Sequence, residues 1–351
     1  MTPNPVGIAL LVGWPSPSLE EGHWEEVRGR PVFRLGVPTP SLSRTKTLLE
    51  AFLHKQGEAL RQLGPEAVCM ASARGEMEAL LALYEHWQGG DKPPPTTSPE
   101  TTAGTLATVV AHAVGVKGPA YTVSQTCISG LAALYQAALM LRSGEATRVL
   151  FGAVEAPLHP FFVEAMAGLR IYSSRKAFPF CLPGSGENTL ALGEGLAMGV
   201  LVQGEAPIQV VRVALQTAAP AELPSYTAVS VQALRRLLER LGEGPPDFVL
   251  LHAPGTRQGD QAEWEAVKAF WGEVPALSIK LWTGHSLGAA SLLSIAWAAE
   301  FLQKAMWPQV PYQPFWGNTP PKAWNEAVVL ALGFGGVMGG VRLRKTASSC
   351  S

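Results

Sequence analysis

The chain has 351 residues, enough for two domain-sized units or for one large fold assembled from two similar halves. Lys and Arg number 27 against 28 Asp and Glu, a net charge of −1, so the chain lacks the basic surplus with which nucleic-acid binders hold phosphate. Charged residues make up 16% and hydrophobic ones 47%, which excludes a disordered chain and calls for a large core with apolar surface left for a partner subunit to cover.

Short apolar strands alternate with longer amphipathic helices, the pattern of an α/β fold. In chain order the predicted elements are strand 7–12, helix 43–63, strand 67–71, helices 76–87 and 102–114, strand 120–124 and helix 128–143. Strands 148–155, 198–202 and 208–215 follow, then helix 228–241, strand 247–252, helix 261–270, strand 276–280, helix 287–304 and strand 328–332. Proline-rich stretches at 92–99, 244–246 and 307–321 read as surface loops.

The apolar run 327–341 is shorter than a membrane span and rich in glycine, so it reads as a buried strand pair, and no membrane segment is expected. The first basic residue is Arg28, which does not fit a secretory leader. Cys69, Cys127, Cys181 and Cys350 form neither a disulfide framework nor a C-x-x-C zinc pair, and Cys350 does not fit a prenylation box. A reducing, cytoplasmic setting is expected.

An internal repeat runs through the chain. Gln125-Thr-Cys-Ile-Ser-Gly-Leu-Ala-Ala-Leu opens one apolar helix and Thr283-Gly-His-Ser-Leu-Gly-Ala-Ala-Ser-Leu opens another. Downstream, Gly193-Glu-Gly-Leu-Ala-Met-Gly pairs with Gly333-Phe-Gly-Gly-Val-Met-Gly. Two matched pairs in one order predict a duplicated half-fold, 1–204 and 205–351, joined near 204–207. Helices 128–143 and 287–304 are apolar on nearly every face, which places them in a middle layer between two sheets. Cys127 and His285, at their N-termini, are then expected near one central point.

A thiol at a helix N-terminus feels the positive end of the macrodipole, which favours thiolate, and the free N–H groups there suit a developing oxyanion. Equally, a lone cysteine in an apolar segment is often a buried small hydrophobe. His252 ends a predicted strand and opens into Ala-Pro-Gly-Thr, where α/β sites usually form; it and His285 could instead be structural. The remaining histidines (His23, His54, His86, His112, His159) have no such setting. One cysteine with two imidazoles suits acyl transfer through a thioester. Nothing in their spacing supports a metal site.

Four stretches, in order, resemble a family: Thr126-Cys127-Ile-Ser-Gly-Leu; His252-Ala-Pro-Gly-Thr-Arg-Gln-Gly-Asp-Gln-Ala-Glu263; Lys280-Leu-Trp-Thr-Gly-His285-Ser-Leu-Gly-Ala-Ala; and Gly333-Phe-Gly-Gly. They look like the Cys-His-His elongating β-ketoacyl-[acyl-carrier-protein] synthases of fatty acid and polyketide synthesis. The resemblance runs from about Ser43 to the end.

It implies a thiolase fold, five layers αβαβα, usually dimeric, with no bound cofactor: substrates arrive on the 4'-phosphopantetheine of an acyl carrier protein. Cys127 would be the acylated nucleophile, and His252 and His285 would promote malonyl decarboxylation. The amides of Cys127 and Phe334 would form the oxyanion hole, with Phe334 as gate. Lys280 and Glu263 would be a buried ion pair, and Thr256 would meet the pantetheine arm. Leu332, Phe162 and Phe178 are candidate pocket residues.

The chain departs from the family pattern at Pro254, which replaces a hydroxyl residue, and at Pro179-Phe-Cys181, where relatives have Pro-Phe-Asp. At 13–42 it does not match clearly. Two alternatives stay open: a non-catalytic, chain-length-factor-like subunit of a heterodimer, and an acyltransferase that does not decarboxylate.

Overall fold

The computed structural model describes residues 5–17, 21–38, 43–310, 312 and 314–346; Cys350 lies outside them. The first half contains β1 (Val6–Trp14), β2 (Gly22–Val27), β3 (Arg30–Leu35), α1 (Arg44–Gln62), β4 (Ala67–Ala71), α2 (Met77–Gln88), α3 (Thr97–Glu100) and α4 (Thr105–Val114). It continues with β5 (Ala120–Val123), α5 (Ser129–Ser143), β6 (Arg148–Glu155), α6 (Pro160–Gly168), β7 (Leu192–Gly193) and β8 (Gly195–Gln203). The second half contains β9 (Ile208–Thr217), α7 (Val231–Leu241), β10 (Phe248–Leu250), α8 (Arg257–Trp271), β11 (Ala276–Leu277), α9 (Lys280–Thr283), α10 (Leu287–Lys304), β12 (Glu326–Leu332) and β13 (Val337–Lys345).

Local chemistry sets the helix ends. Ser43 and Ser230 accept from the N–H groups three residues on, capping α1 and α7. Gly115 and Gly144, at φ of 78° and 76°, end α4 and α5 in the left-handed conformation that costs glycine little.

The strands run β5-β4-β6-β8-β1 in the first half and β11-β10-β12-β13-β9 in the second. Taken in chain order within each half, these are the same arrangement. The two five-stranded sheets meet where β1 and β9 pair, at Gly7↔Gln209 and Ile8↔Ile208. Between them lie α5 and α10, buried almost all round, with the apolar inner faces of both sheets. Leu48, Leu49 and Phe52 of α1 and Leu106 and Val110 of α4 cover one outer face. Leu234 and Leu237 of α7 and Trp264 and Val267 of α8 cover the other. This is the five-layer αβαβα thiolase fold.

The two middle helices touch at glycine. A β-carbon on Gly130 would lie 2.7 Å from that of Leu292 and 3.2 Å from that of Ala153. Across the same crossing, the Leu131 N–H at the start of α5 donates to Ser291 Oγ at 3.0 Å, satisfying one of the orphan donors of the first helical turn.

Several expectations are corrected. The predicted strand 276–280 stops at Leu277, and Lys280 opens the short helix α9. The predicted strand 247–252 is trimmed to Phe248–Leu250: before it Asp247 turns its carboxylate to the N–H groups of Asn325 and Glu326, and after it the peptide of His252 bonds to the side chains of Glu263 and Lys280 instead of a neighbouring strand. Unforeseen are the hairpin β2–β3, which pairs with β7 in a small separate sheet, and α6, opened by Pro160 at its first position. Among the described residues no helix is long and apolar enough to cross a membrane.

Replacing Gly130 with Val forces the middle helices apart. It should lower stability by about 1–3 kcal/mol, read as a drop in the urea midpoint at unchanged slope. An unchanged midpoint would show that the crossing relaxes freely.

Candidate active site

Cys127 sits in the turn between β5 and α5, 5% exposed. Thr126 before it has φ of 48°, an uncommon conformation for a β-branched residue. Ser129 holds this turn from inside the helix: its hydroxyl donates to Thr126 O at 2.7 Å and accepts from Gln125 N at 2.7 Å. Opposite lies the Gly333 turn, so close that a β-carbon on Gly333 would fall 2.2 Å from Thr126 Oγ1. Phe334 packs in the same apolar cluster as Cys127, with its ring 6.3 Å from Tyr226. The thiolate expectation is corrected: burial pushes the Cys127 thiol up to about 12, outweighing the opposing pull of Lys280. The resting group is a thiol.

His252 follows β10 and His285 precedes α10, both buried. Their rings lie 5.1 Å apart at 81°, edge to face. Burial, reinforced by the charge of Lys280, holds both imidazoles well below their usual pKa, so both are neutral. The Nδ1 atom of His285 has no hydrogen-bond partner among the described residues. Its main chain is well held: the His285 N–H donates to Ala191 O at 2.7 Å, and its carbonyl accepts from Gly193 N at 3.2 Å.

Lys280 and Glu263 grip the peptide of His252 from either side. The Lys280 ammonium donates to the His252 carbonyl. The Glu263 carboxylate accepts from the N–H groups of His252 at 2.7 Å and Ala253 at 2.8 Å. The expected direct ion pair does not form among the described residues; backbone groups of the histidine loop intervene, and the opposite charges act through them. Burial raises the Glu263 carboxyl to about 7 against the lowering effect of those two N–H donors and Lys280. Burial also lowers Lys280, while Glu263 opposes it.

Thr256 stands at the N-terminus of α8 without a side-chain capping bond and gives its hydroxyl proton to Asp260 Oδ1 at 3.0 Å, leaving its lone pairs for any ligand. Asp260, fully buried, also accepts from the N–H groups of Gly255 and Thr256, each at 3.1 Å, and burial raises it to about 7. Glu155 plays a similar part nearby. Buried and raised to about 7, it accepts from Ala73 N, Arg74 N, Ser72 Oγ and Gly288 N at 2.7 to 3.1 Å, joining the loop after β4 to the first turn of α10. Sequence reading missed Asp260 and Glu155 as site residues. Their only signal is an acidic residue within an apolar or glycine-rich stretch.

Cys127, His252, His285, Phe334, Thr256 and Pro254 line one cavity of about 210 Å³, with Glu263 also contributing. Lys280 stands behind it. Leu332 lines the cavity as expected, but Phe162 is buried beneath Arg74 and Phe178 is 54% exposed beside Trp24, so neither is a pocket residue. Cys181 is buried outside the cavity, accepting from Ala191 N at 3.2 Å.

Residues 45–206 match the β-ketoacyl synthase N-terminal domain and residues 209–312 its C-terminal domain. Granaticin polyketide β-ketoacyl synthase 1 of Streptomyces violaceoruber is 33% identical over 55% of this chain and 50% of its own length. Nodulation protein E of Rhizobium sp. strain N33 is 29% identical over 61% and 55%. The chain spans about half the length of the polyketide synthases it matches. Among solved structures, a chain from the complex of a type II polyketide acyl-carrier protein with its hexaketide-bound ketosynthase superposes with a TM-score of 0.82 at 20% identity, covering 98% of this chain and 100% of that one. A ketosynthase in complex with its chain length factor from Xenorhabdus doucetiae gives 0.79 at 18%, covering 98% of each. The same domain pair in the same order, on a matching fold, makes this chain a member of the β-ketoacyl synthase family.

Proposed function

We propose that the protein condenses acyl chains on an acyl carrier protein, and that residues 1–204 and 205–351 each supply part of the site. The observation that carries this reading is one cavity lined by a thiol from the first half and two neutral imidazoles from the second. In the first step Cys127 takes the acyl group from a carrier thioester, and the thiol proton leaves with the pantetheine sulfur. A malonyl thioester then loses carbon dioxide. The electron pair left behind spreads onto the thioester oxygen as an enolate, to which N–H groups of His252 and His285 donate. The enolate carbon attacks the Cys127 thioester, forming the new carbon–carbon bond and releasing the sulfur as a thiolate, which takes one proton from solvent to restore the thiol. The amides of Cys127 and Phe334 receive the oxyanion of that attack, and Phe334 gates the entrance. Lys280 and Glu263 hold His252 in place. Thr256 and Pro254 border the pantetheine arm, the first through its lone pairs and the second by contact alone.

No cofactor is required beyond the arm that the carrier brings. A partner subunit of related fold, identical or not, fits the free edge of β5 that ends the large sheet, with Leu139 of α5 exposed nearby.

Three outcomes check this reading. Incubation with acyl-carrier proteins of several chain lengths should add one acyl mass to the intact protein and none to Cys127→Ala; no gain at any length would favour a non-catalytic, chain-length-factor-like subunit. Decarboxylation should not follow an imidazole titration as pH falls through 6.5, since histidines with lowered pKa values stay neutral there, and any inflexion should belong to the carboxyls near 7 and shift in Glu263→Gln; a fall through 6.5 that Glu263→Gln leaves unmoved would mean an exposed, protonating imidazole. Arg257, exposed at the cavity mouth, is placed to meet the phosphate of the arm. Arg257→Ala should therefore raise KM for a carrier-borne donor by about two- to fivefold and leave KM for a phosphate-free acyl thioester unchanged; an equal rise in both would remove that role.

A further inference from the structure

His285 faces the cavity on a ring whose Nδ1 finds no partner, so its orientation depends on how firmly its main chain is held. The main chain is held from one side by a short run of paired strands. His285 bridges to Leu192 of β7 in parallel, and β7 in turn pairs with β3 through Val32↔Leu192 and Phe33↔Gly193. The approach leaves no room for side chains. A β-carbon on Gly193 would fall 1.9 Å from Thr283 O, and one on Gly284 would fall 2.7 Å from Leu192 O.

The next residue along is an anchor. Glu194 donates its N–H to Phe33 O at 2.9 Å and accepts the Leu35 N–H at 2.9 Å. Its carboxylate also takes the Nε and Nη2 of Arg44, each at 2.8 Å, a bidentate pair 0% and 3% exposed. Arg44 reaches on to the carbonyls of Leu35 and Pro38, and Arg34 Nη1 stands 3.4 Å from the same carboxylate. A second tie lies at the other end of the β3–β7 pairing: the Tyr172 hydroxyl accepts from Leu192 N at 3.0 Å and donates to Pro31 O at 2.8 Å.

We infer that the β2–β3 hairpin braces the site from behind, and that Glu194, Arg44 and Tyr172 are positioning residues which fix His285 through β7. The inference rests on the condensing role proposed above for His285. It assigns work to residues 22–35, within the segment whose sequence matches the family least clearly. The anchor reaches His285, whereas Cys127 and His252 are held by other contacts, namely Ser129 for the first and Lys280 and Glu263 for the second.

The test compares Glu194→Gln, Tyr172→Phe and His285→Ala in the full chain, using an acyl N-acetylcysteamine thioester to load Cys127 and a malonyl N-acetylcysteamine thioester to follow carbon dioxide release. Glu194→Gln and Tyr172→Phe should load Cys127 at the parent rate and decarboxylate more slowly, by roughly ten- to hundredfold. Amide hydrogen exchange should quicken in the peptide carrying His285 and stay unchanged in those carrying Cys127 and His252. Tyr172→Phe keeps the ring and decides the matter if Glu194→Gln fails to fold. Equal loss in both steps, or exchange at His285 that does not move, overturns the inference. Normal decarboxylation by His285→Ala overturns the proposed function instead, and the exchange measurement still decides whether the hairpin holds that residue.

Discussion

At Gly130 the helices α5 and α10 approach so closely that the single missing β-carbon fixes their separation. Everything functional follows from that crossing. The two helices come from different halves of the chain, and each begins at a residue of the site, Cys127 on one side and His285 on the other. Bringing the helices together at their N-terminal turns brings those residues to one cavity. Burying both helices between two apolar sheets removes water from it. The Leu131–Ser291 hydrogen bond across the crossing shows the economy of the arrangement, since one serine satisfies an orphan donor of α5 from within α10.

Burial on this scale creates a polar problem, and the chain solves it with carboxylates. Glu155, Asp260, Glu263 and Glu194 are all deeply buried; the first three accept main-chain N–H groups of loops near the site, and Glu194 accepts that of Leu35 at the end of β3. A carboxylate is an acceptor with several lone-pair directions, so a single side chain can tie two or three backbone donors that no strand or helix satisfies. Asp260 and Glu263 lie one helical turn apart on α8 and fasten successive parts of the His252 loop. Glu155 fastens the first turn of α10, and Glu194 the hairpin. Three of the four are raised to about 7 by burial, a cost set against the loop order they maintain. Linkage gives the sign. A carboxyl raised above its unfolded value contributes stability that is complete below about 4.5 and fades as pH rises through 7.

How far the sequence carried the reading follows from the range of each interaction. The middle layer was legible because a helix apolar on every face has nowhere else to go, and helix 287–304 was placed to the residue. The repeat was legible because two helix openings share a local pattern, and Cys127, His252 and His285 stood out at strand-to-helix turns. The hairpin was not legible. Its first strand buries no residue fully, both strands carry charges such as Glu25 and Arg34, and although the pairing closes locally at Val27↔Arg30, the place of the hairpin in the fold is set by β7, far away in sequence. The same distance hid the anchoring carboxylates: Glu194 contacts a residue 150 positions away, and Glu155 one 133 away. Lys280 and Glu263 were identified as supports, but their mode of action was not, because the backbone they share has no side-chain signature.

The proton inventory of the cavity ties these strands together. Burial keeps Cys127 as a thiol and both imidazoles neutral, leaving Lys280 as the cation beside them. Desolvation outweighs the pull of Lys280 on this thiol. In the proposed loading step nucleophilicity therefore has to arise during attack, as the proton passes to the leaving pantetheine sulfur. The same neutrality suits the decarboxylation proposed above. An imidazole without charge does not bind the malonyl carboxylate electrostatically, so it gives no advantage to the charged ground state over the decarboxylating transition state. It still offers an N–H to the enolate as charge moves onto the oxygen. Lys280 contributes by holding the carbonyl of His252 while its charge discourages protonation of both rings. A lysine aimed into the cavity would instead have stabilised the carboxylate that the proposed step removes.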